Sequence, residues 1–145
     1  MRLSGAEKAA FAMFAQEVFE LDTAIQWFVL EKAGREPCCA RRDIKTGRVF
    51  TAVTTTELVD PLVLMPAEGR DGLAEGRNHH RLLFVVLAFA DLVQIVARFG
   101  RYDHVGVAVD RHADAYTLGR KLTELLDRRA NRNLSGVHAD GSVPA

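Results

Sequence analysis

Two hydrophobic periods divide this chain. In its first thirty residues Phe11, Phe14, Val18, Leu21, Ile25 and Phe28 recur at spacings of three and four, the signature of one amphipathic helical face. Ser4-Gly5-Ala6-Glu7 opens that helix as a capping box, with Ser4 covering the Glu7 amide and Glu7 reaching back. The pattern predicts a helix reaching about Lys32, ended by Gly34 with Pro37 beyond. A break at Leu21-Asp22, with Asp22 capping a second helix, is the alternative. The apolar stripe either faces the core or also meets a second chain.

The period then changes. Cys38 to Arg42 and Arg48 to Val53 read as short strands joined by Asp43-Ile44-Lys45-Thr46-Gly47, where Gly47 can take a positive φ. Asp60-Pro61 starts a second helix, which Pro66 shortens or kinks, and Gly69 to Gly76 reads as a loop. Leu82 to Ala90 is apolar on both alternations, so both faces are expected to be covered. Leu92 to Phe99 follows, with Gln94 and Arg98 marking a wetter face. In His104 to Val109 the residues Val105, Val107 and Val109 share one face and the small Gly106 and Ala108 the other, where a helix has room to lie close. Short connections make these three an antiparallel meander. Ala115, Leu118, Leu122, Leu125 and Leu126 form the stripe of a last helix, with Gly119 inside it for close packing. The fold class is α+β: a central antiparallel sheet of about five strands, hairpin plus three-stranded meander, with helices packed on it. It forms one domain over residues 1–130, followed by a polar tail over 131–145 expected to be mobile.

Composition adds exclusions. Lys+Arg and Asp+Glu both number 19, so there is no broad field to attract nucleic acid or an anionic membrane, and little repulsion between copies. No run reaches the roughly 18–20 apolar residues of a membrane span. The opening MRLSGAEKAA lacks a basic region leading into an apolar core, and adjacent Cys38 and Cys39 make no disulfide framework. A reduced, cytoplasmic protein is expected.

The order helix, hairpin, helix, meander, helix resembles the roadblock/LC7 family. The nearest local likeness is LVQIVARFGRYDHVGVAVDRHADAYTLGRKLTELL (92–126). Where that family tends to open its final helix with Asn-x-Gly, this chain has Thr117-Leu118-Gly119, keeping the Gly and replacing the Asn. The long first helix and the Pro66 region depart from a typical member. The resemblance implies a non-enzymatic protein without a cofactor. It implies a homodimer that pairs one strand across a two-fold axis, with the middle helix beside it. Mapped here, the interface is Leu83, Val85, Leu87 and Phe89 on the strand with Leu62 and Met65 on the helix. Bacterial members commonly regulate small Ras-like GTPases. Separately from the resemblance, Arg70 and Arg77 in the 68–77 stretch are cations available to an acidic partner. The alternative is a small-ligand sensor of profilin, longin or PAS type, marked by a sizeable apolar cavity beneath the first helix.

Other chemistry is thinly supported. His79-His80 lacks further ligands nearby. His104 and His112 flank the last strand and meet only if the fold brings them together. Arg41 and Arg42 are placed to lower a thiol pKa at Cys38 or Cys39, but no histidine base lies in that segment. EGRDGLAEGR (68–77) lacks the Gly-Lys-Ser/Thr ending of a phosphate loop. Trp27 reads as core or interface.

Overall fold

The computed structural model describes residues 4–43, 45–53, 58, 82–99 and 103–139. Helix α1 spans Gly5–Phe19; strands follow as β1 Ile25–Glu31, β2 Cys38–Arg42, β3 Val49–Val53, β4 Val85–Ala88, β5 Leu92–Phe99 and β6 Asp103–Asp110; helix α2 spans Ala115–Ala139. The strands form one antiparallel sheet in the order β3-β2-β1-β6-β5-β4. This is an α+β fold, with the two described helices packed against a six-stranded sheet. The predicted helix at Asp60 to Glu68 and the Gly69 to Gly76 loop lie outside the described residues.

The capping box at Ser4 and Glu7 is present, but α1 stops at Phe19 instead of running to about Lys32. Asp22 does not cap a second helix. Its carboxylate accepts the Ala24 amide at 2.8 Å, an Asx turn that leads the chain into β1. Arg42 fixes this corner from β2, donating to the carbonyls of Phe19 and Asp22 with its guanidinium over the Phe19 ring. The sixth strand is therefore β1, hidden in a helical spacing. A bulge between Ile25 and Trp27 explains the disguise. It inserts a residue, so Ile25 and Phe28, three apart, both enter the core beneath the helices, as they would on a helix.

That core lies between the sheet and both helices. Phe28 stacks on Phe11 with ring centroids 5.7 Å apart, and Phe14 tilts against Phe28 and Phe99. Ile95, Val105, Val107 and Val109 complete the sheet side, and Leu118, Leu122, Leu125 and Leu126 supply the stripe of α2. The space beneath α1, where a sensor would hold its ligand, is filled by aromatic rings. The two described helices lie on the valine face of β6. The small Gly106 is on the opposite face, where Leu58 occupies the space: a Cβ at Gly106 would stand 2.7 Å from Leu58 Cδ2.

The hairpin of β2 and β3 forms as predicted, with Gly47 at φ 72°. The Asp43 carboxylate accepts the amides of Lys45 and Thr46 inside its loop. Strand β4 is shorter than the predicted Leu82 to Ala90 and is not covered on both faces. Val85 and Leu87 are half-buried, while Val86 and Ala88 are exposed. Helix α2 continues to Ala139, past Arg129, where the apolar stripe ends and a tail is expected. Arg129 and Arg132 both reach Glu17 on α1, so the helix has a partner along this stretch. Among the described residues, no helix is long and apolar enough to cross a membrane.

Candidate protein-interaction surface

Strand β4 closes one end of the sheet. It hydrogen-bonds to β5 alone, and among the described residues no strand lies on its other side. Its sequence, Val85-Val86-Leu87-Ala88, has no charge to discourage pairing. Val86 is 44% exposed and Phe89, just beyond, 53%. At the opposite end β3 is guarded by the exposed cations Lys45 and Arg48 of its hairpin. Both end strands are uncharged within their spans, and the β4 end differs in lacking the flanking cations of the β2–β3 hairpin among the described residues.

Of the interface residues expected from the sequence, Val85 and Leu87 pack against the small cluster of Val29, Cys39, Leu58 and Val96 on the face away from the helices. Leu83 is half-buried just before β4, and Phe89 is exposed at the β4–β5 turn. Leu62, Met65, Arg70, Arg77, His79 and His80 lie outside the described residues, as does the loop at 68–77. Val86, the large apolar side chain exposed within β4, was not among the expected residues; alternation places it on the helix-side face, at the edge of the sheet.

The start of α2 is tied to this edge. Asp114 caps the helix, its carboxylate accepting the Thr117 amide at 3.1 Å and the Thr117 hydroxyl at 2.8 Å. These bonds hold the Asp114 carboxyl below its ordinary range, the backbone amide foremost. Thr117, which stands at the Asn position of the resemblance, therefore serves the cap. Two residues on, Gly119 receives the Phe84 ring: a Cβ at Gly119 would lie 2.4 Å from Phe84 Cε2. Phe84 also tilts against exposed Tyr116. The ring anchors the approach to β4 onto α2.

The face away from the helices carries a second feature. Cross-strand register aligns Phe50, Arg41, Trp27, Ala108, Gln94 and Leu87 in one row across all six strands. Ala108 is the small member between Trp27 and Gln94, and there the surface dips. Trp27, Arg41, Phe89, Asp91, Leu92 and Gln94 stand around a trough of about 540 Å³ floored by Ala108.

Other candidate chemistry disperses. Cys38 lies in the core beneath the helices and Cys39 in the cluster on the other face, so neither faces solvent. Burial pushes both thiols above their ordinary range, and at Cys39 the Arg41 charge only partly opposes it. The neighbouring arginines do not activate either thiol, and both cysteines read as ordinary strand residues. His104 and His112 lie at opposite ends of β6. His104 Nδ1 is 3.7 Å from Glu31 Oε1, while the other Glu31 oxygen accepts the Leu58 amide. His112 belongs to the turn after β6, bonding Asp110 through its amide and Arg111 through its ring. No cluster of His, Cys, Asp and Glu among the described residues is arranged to hold a metal ion.

No protein-family model and no curated protein matches the chain. Solved structures do. A roadblock/LC7 domain from Streptomyces avermitilis aligns at 16% identity with a TM-score of 0.46, covering 82% of this chain and 93% of that one. A structure of MglB in a tetrameric arrangement aligns at 16% identity with a TM-score of 0.43, covering 90% and 94%. The chain is similar in fold to a roadblock/LC7 domain.

Proposed function

We propose that this protein is a non-enzymatic, cytoplasmic regulatory or scaffold protein that works as a homodimer. In this reading two copies pair through β4, and the dimer binds a small Ras-like GTPase or a related signalling complex. One observation carries the dimer: an uncharged strand at the sheet end, unpaired among the described residues and bearing exposed Val86 and Phe89. An open edge of that kind is an aggregation template, and closing it against a second copy about a two-fold axis removes the hazard. The GTPase as partner rests on the resemblance of residues 92–126 to the roadblock family. Leu62 and Met65 join the interface on the same resemblance, and Arg70 and Arg77, as cations of the 68–77 sequence, meet an acidic face of the partner. A sensor role is disfavoured by the aromatic packing beneath α1; the groove beside it, about 190 Å³, opens at the surface among Glu7, Lys32, Arg35 and Arg129.

The test has two stages. A solution mass measurement is expected to give twice the chain mass, and a clean monomer at every concentration overturns the dimer. A Ras-like GTPase recovered with the dimer from the source cell is then assayed for nucleotide exchange and hydrolysis. An unchanged nucleotide cycle, or no such partner, removes the regulatory role.

A further inference from the structure

The row across the sheet face away from the two described helices leads from cations to an apolar dip. Phe50 is half exposed, with the Arg48 guanidinium 5.2 Å from its ring centroid. Beside Phe50 comes Arg41, then Trp27, then Ala108. Neighbouring strands are about 5 Å apart, so these four positions span about 15 Å. The charges are unevenly committed. Arg42 is held by the carbonyls of Phe19 and Asp22, and the Asp43 carboxylate by its own loop amides. Arg41, Lys45 and Arg48 are in no ion pair among the described residues, and all three are exposed. On a chain of zero net charge, this hairpin is a local positive patch beside an aromatic-walled trough. Asp91 stands at the far end of the trough and gives it polarity: anionic groups are favoured at the hairpin end and hydrogen-bond donors at the other.

We propose that this trough and hairpin form a docking site for an acidic segment of a partner protein that carries a large apolar side chain. The apolar side chain sits on Ala108 between Trp27 and Leu92, the kind of desolvated pocket in which interface anchors concentrate. Flanking carboxylates meet Arg41 and Arg48, where a guanidinium gives paired hydrogen bonds. Aromatic rings interleaved with arginines also suit stacked bases. Three exposed cations, with an aspartate in the trough, are few for a nucleic-acid track, which draws most of its affinity from phosphate neutralisation. Phe89 of the trough adjoins the β4 edge, while Trp27 and Arg41 lie on β1 and β2, so substitution of Arg41 tests this site and the solution mass tests the dimer.

Trp27 is the single tryptophan, and its emission reads the trough directly. The full chain is titrated with the capped peptide Asp-Glu-Phe-Asp-Glu, with its Asn/Gln counterpart and with a twenty-residue oligothymidine. A saturable emission change is expected with the acidic peptide, and binding about tenfold weaker with the amide version, roughly 1.4 kcal/mol. Arg41→Glu, at an exposed strand position, is expected to lose the acidic peptide and to bind Lys-Lys-Phe-Lys-Lys instead, which separates recognition from misfolding. No saturable change into the millimolar range overturns the proposal. So does equal binding of the acidic and amide peptides, or tighter binding of the oligothymidine than of the acidic peptide.

Discussion

At the residue scale, a small side chain decides where large ones go. Alanine is favoured over glycine within a helix by about 1 kcal/mol, yet Gly119 sits in the middle of α2's buried stripe. The reason is Phe84, whose ring occupies the space a Cβ would take. Overpacking such a contact typically costs 1–3 kcal/mol, so Gly119→Ala is expected to lower stability by about 1 kcal/mol. Replacing Phe84 by Ala removes the obstacle. In that background Gly119→Ala is expected to stabilise, by up to about 1 kcal/mol, so the substitution changes sign. Urea unfolding of the four proteins measures this. A stabilising Gly119→Ala in the original background would show that the ring has slack. Close packing at Gly119 was legible in the sequence, but its partner was not. Phe84 is one apolar residue in a run of nine, and nothing local marks it as the one that crosses to α2.

At the scale of elements, what the sequence reveals depends on whether a signal is local. The β2–β3 hairpin is readable because Asp43 and Gly47 close it with their own backbone and side chain. The cap of α1 is readable for the same reason. Strand β1 is not, because its bulge lets residues three apart share the core, which imitates a helix turn. The row from Phe50 to Leu87 takes residues from six strands, and only their register assembles it. The pairing of the helices is equally non-local: Glu17 on α1 meets Arg129 and Arg132 on α2, with the Arg129 guanidinium also 3.9 Å from the Phe14 ring centroid. Burial alone would raise the Glu17 pKa. The Arg132 hydrogen bond and the two positive charges outweigh it and hold the carboxyl below its ordinary value. A folded-state pKa below the unfolded one adds stability that is present above the unfolded value, about 4.3, and lost as pH falls through the folded value. Glu17→Gln is therefore expected to cost about 1 kcal/mol at pH 7, the scale of a partly exposed ion pair. The gap between the two proteins closes as pH drops below about 4. Unfolding curves from pH 7 to pH 3 check the sign; a gap that persists in acid would assign the loss to packing against Arg129.

For the whole molecule, the two ends of the sheet are built for different encounters. The β3 end is guarded by Lys45 and Arg48, and two copies brought together there would set like charges against each other. The β4 end has Val86 and Phe89 and no charge within the strand. The proposed dimerisation through β4 would join two six-stranded sheets edge to edge and leave both hairpins at the outer ends. This arrangement makes stability depend on concentration, because a partner that binds only the folded chain raises the unfolding midpoint by mass action. The wild-type midpoint is expected to climb as protein concentration rises. Val86→Lys places an exposed cation on each of the two edges, a device by which natural sheets prevent edge pairing. The variant is expected to be a monomer whose midpoint does not move with concentration. Its folding should survive, since Val86 contributes little to the packed core. Analytical ultracentrifugation and thermal unfolding across about a hundredfold range of concentration read both properties together. If Val86→Lys leaves the mass doubled, the interface lies elsewhere on the chain. If it unfolds the protein outright, Val86 is more deeply packed than its 44% exposure implies.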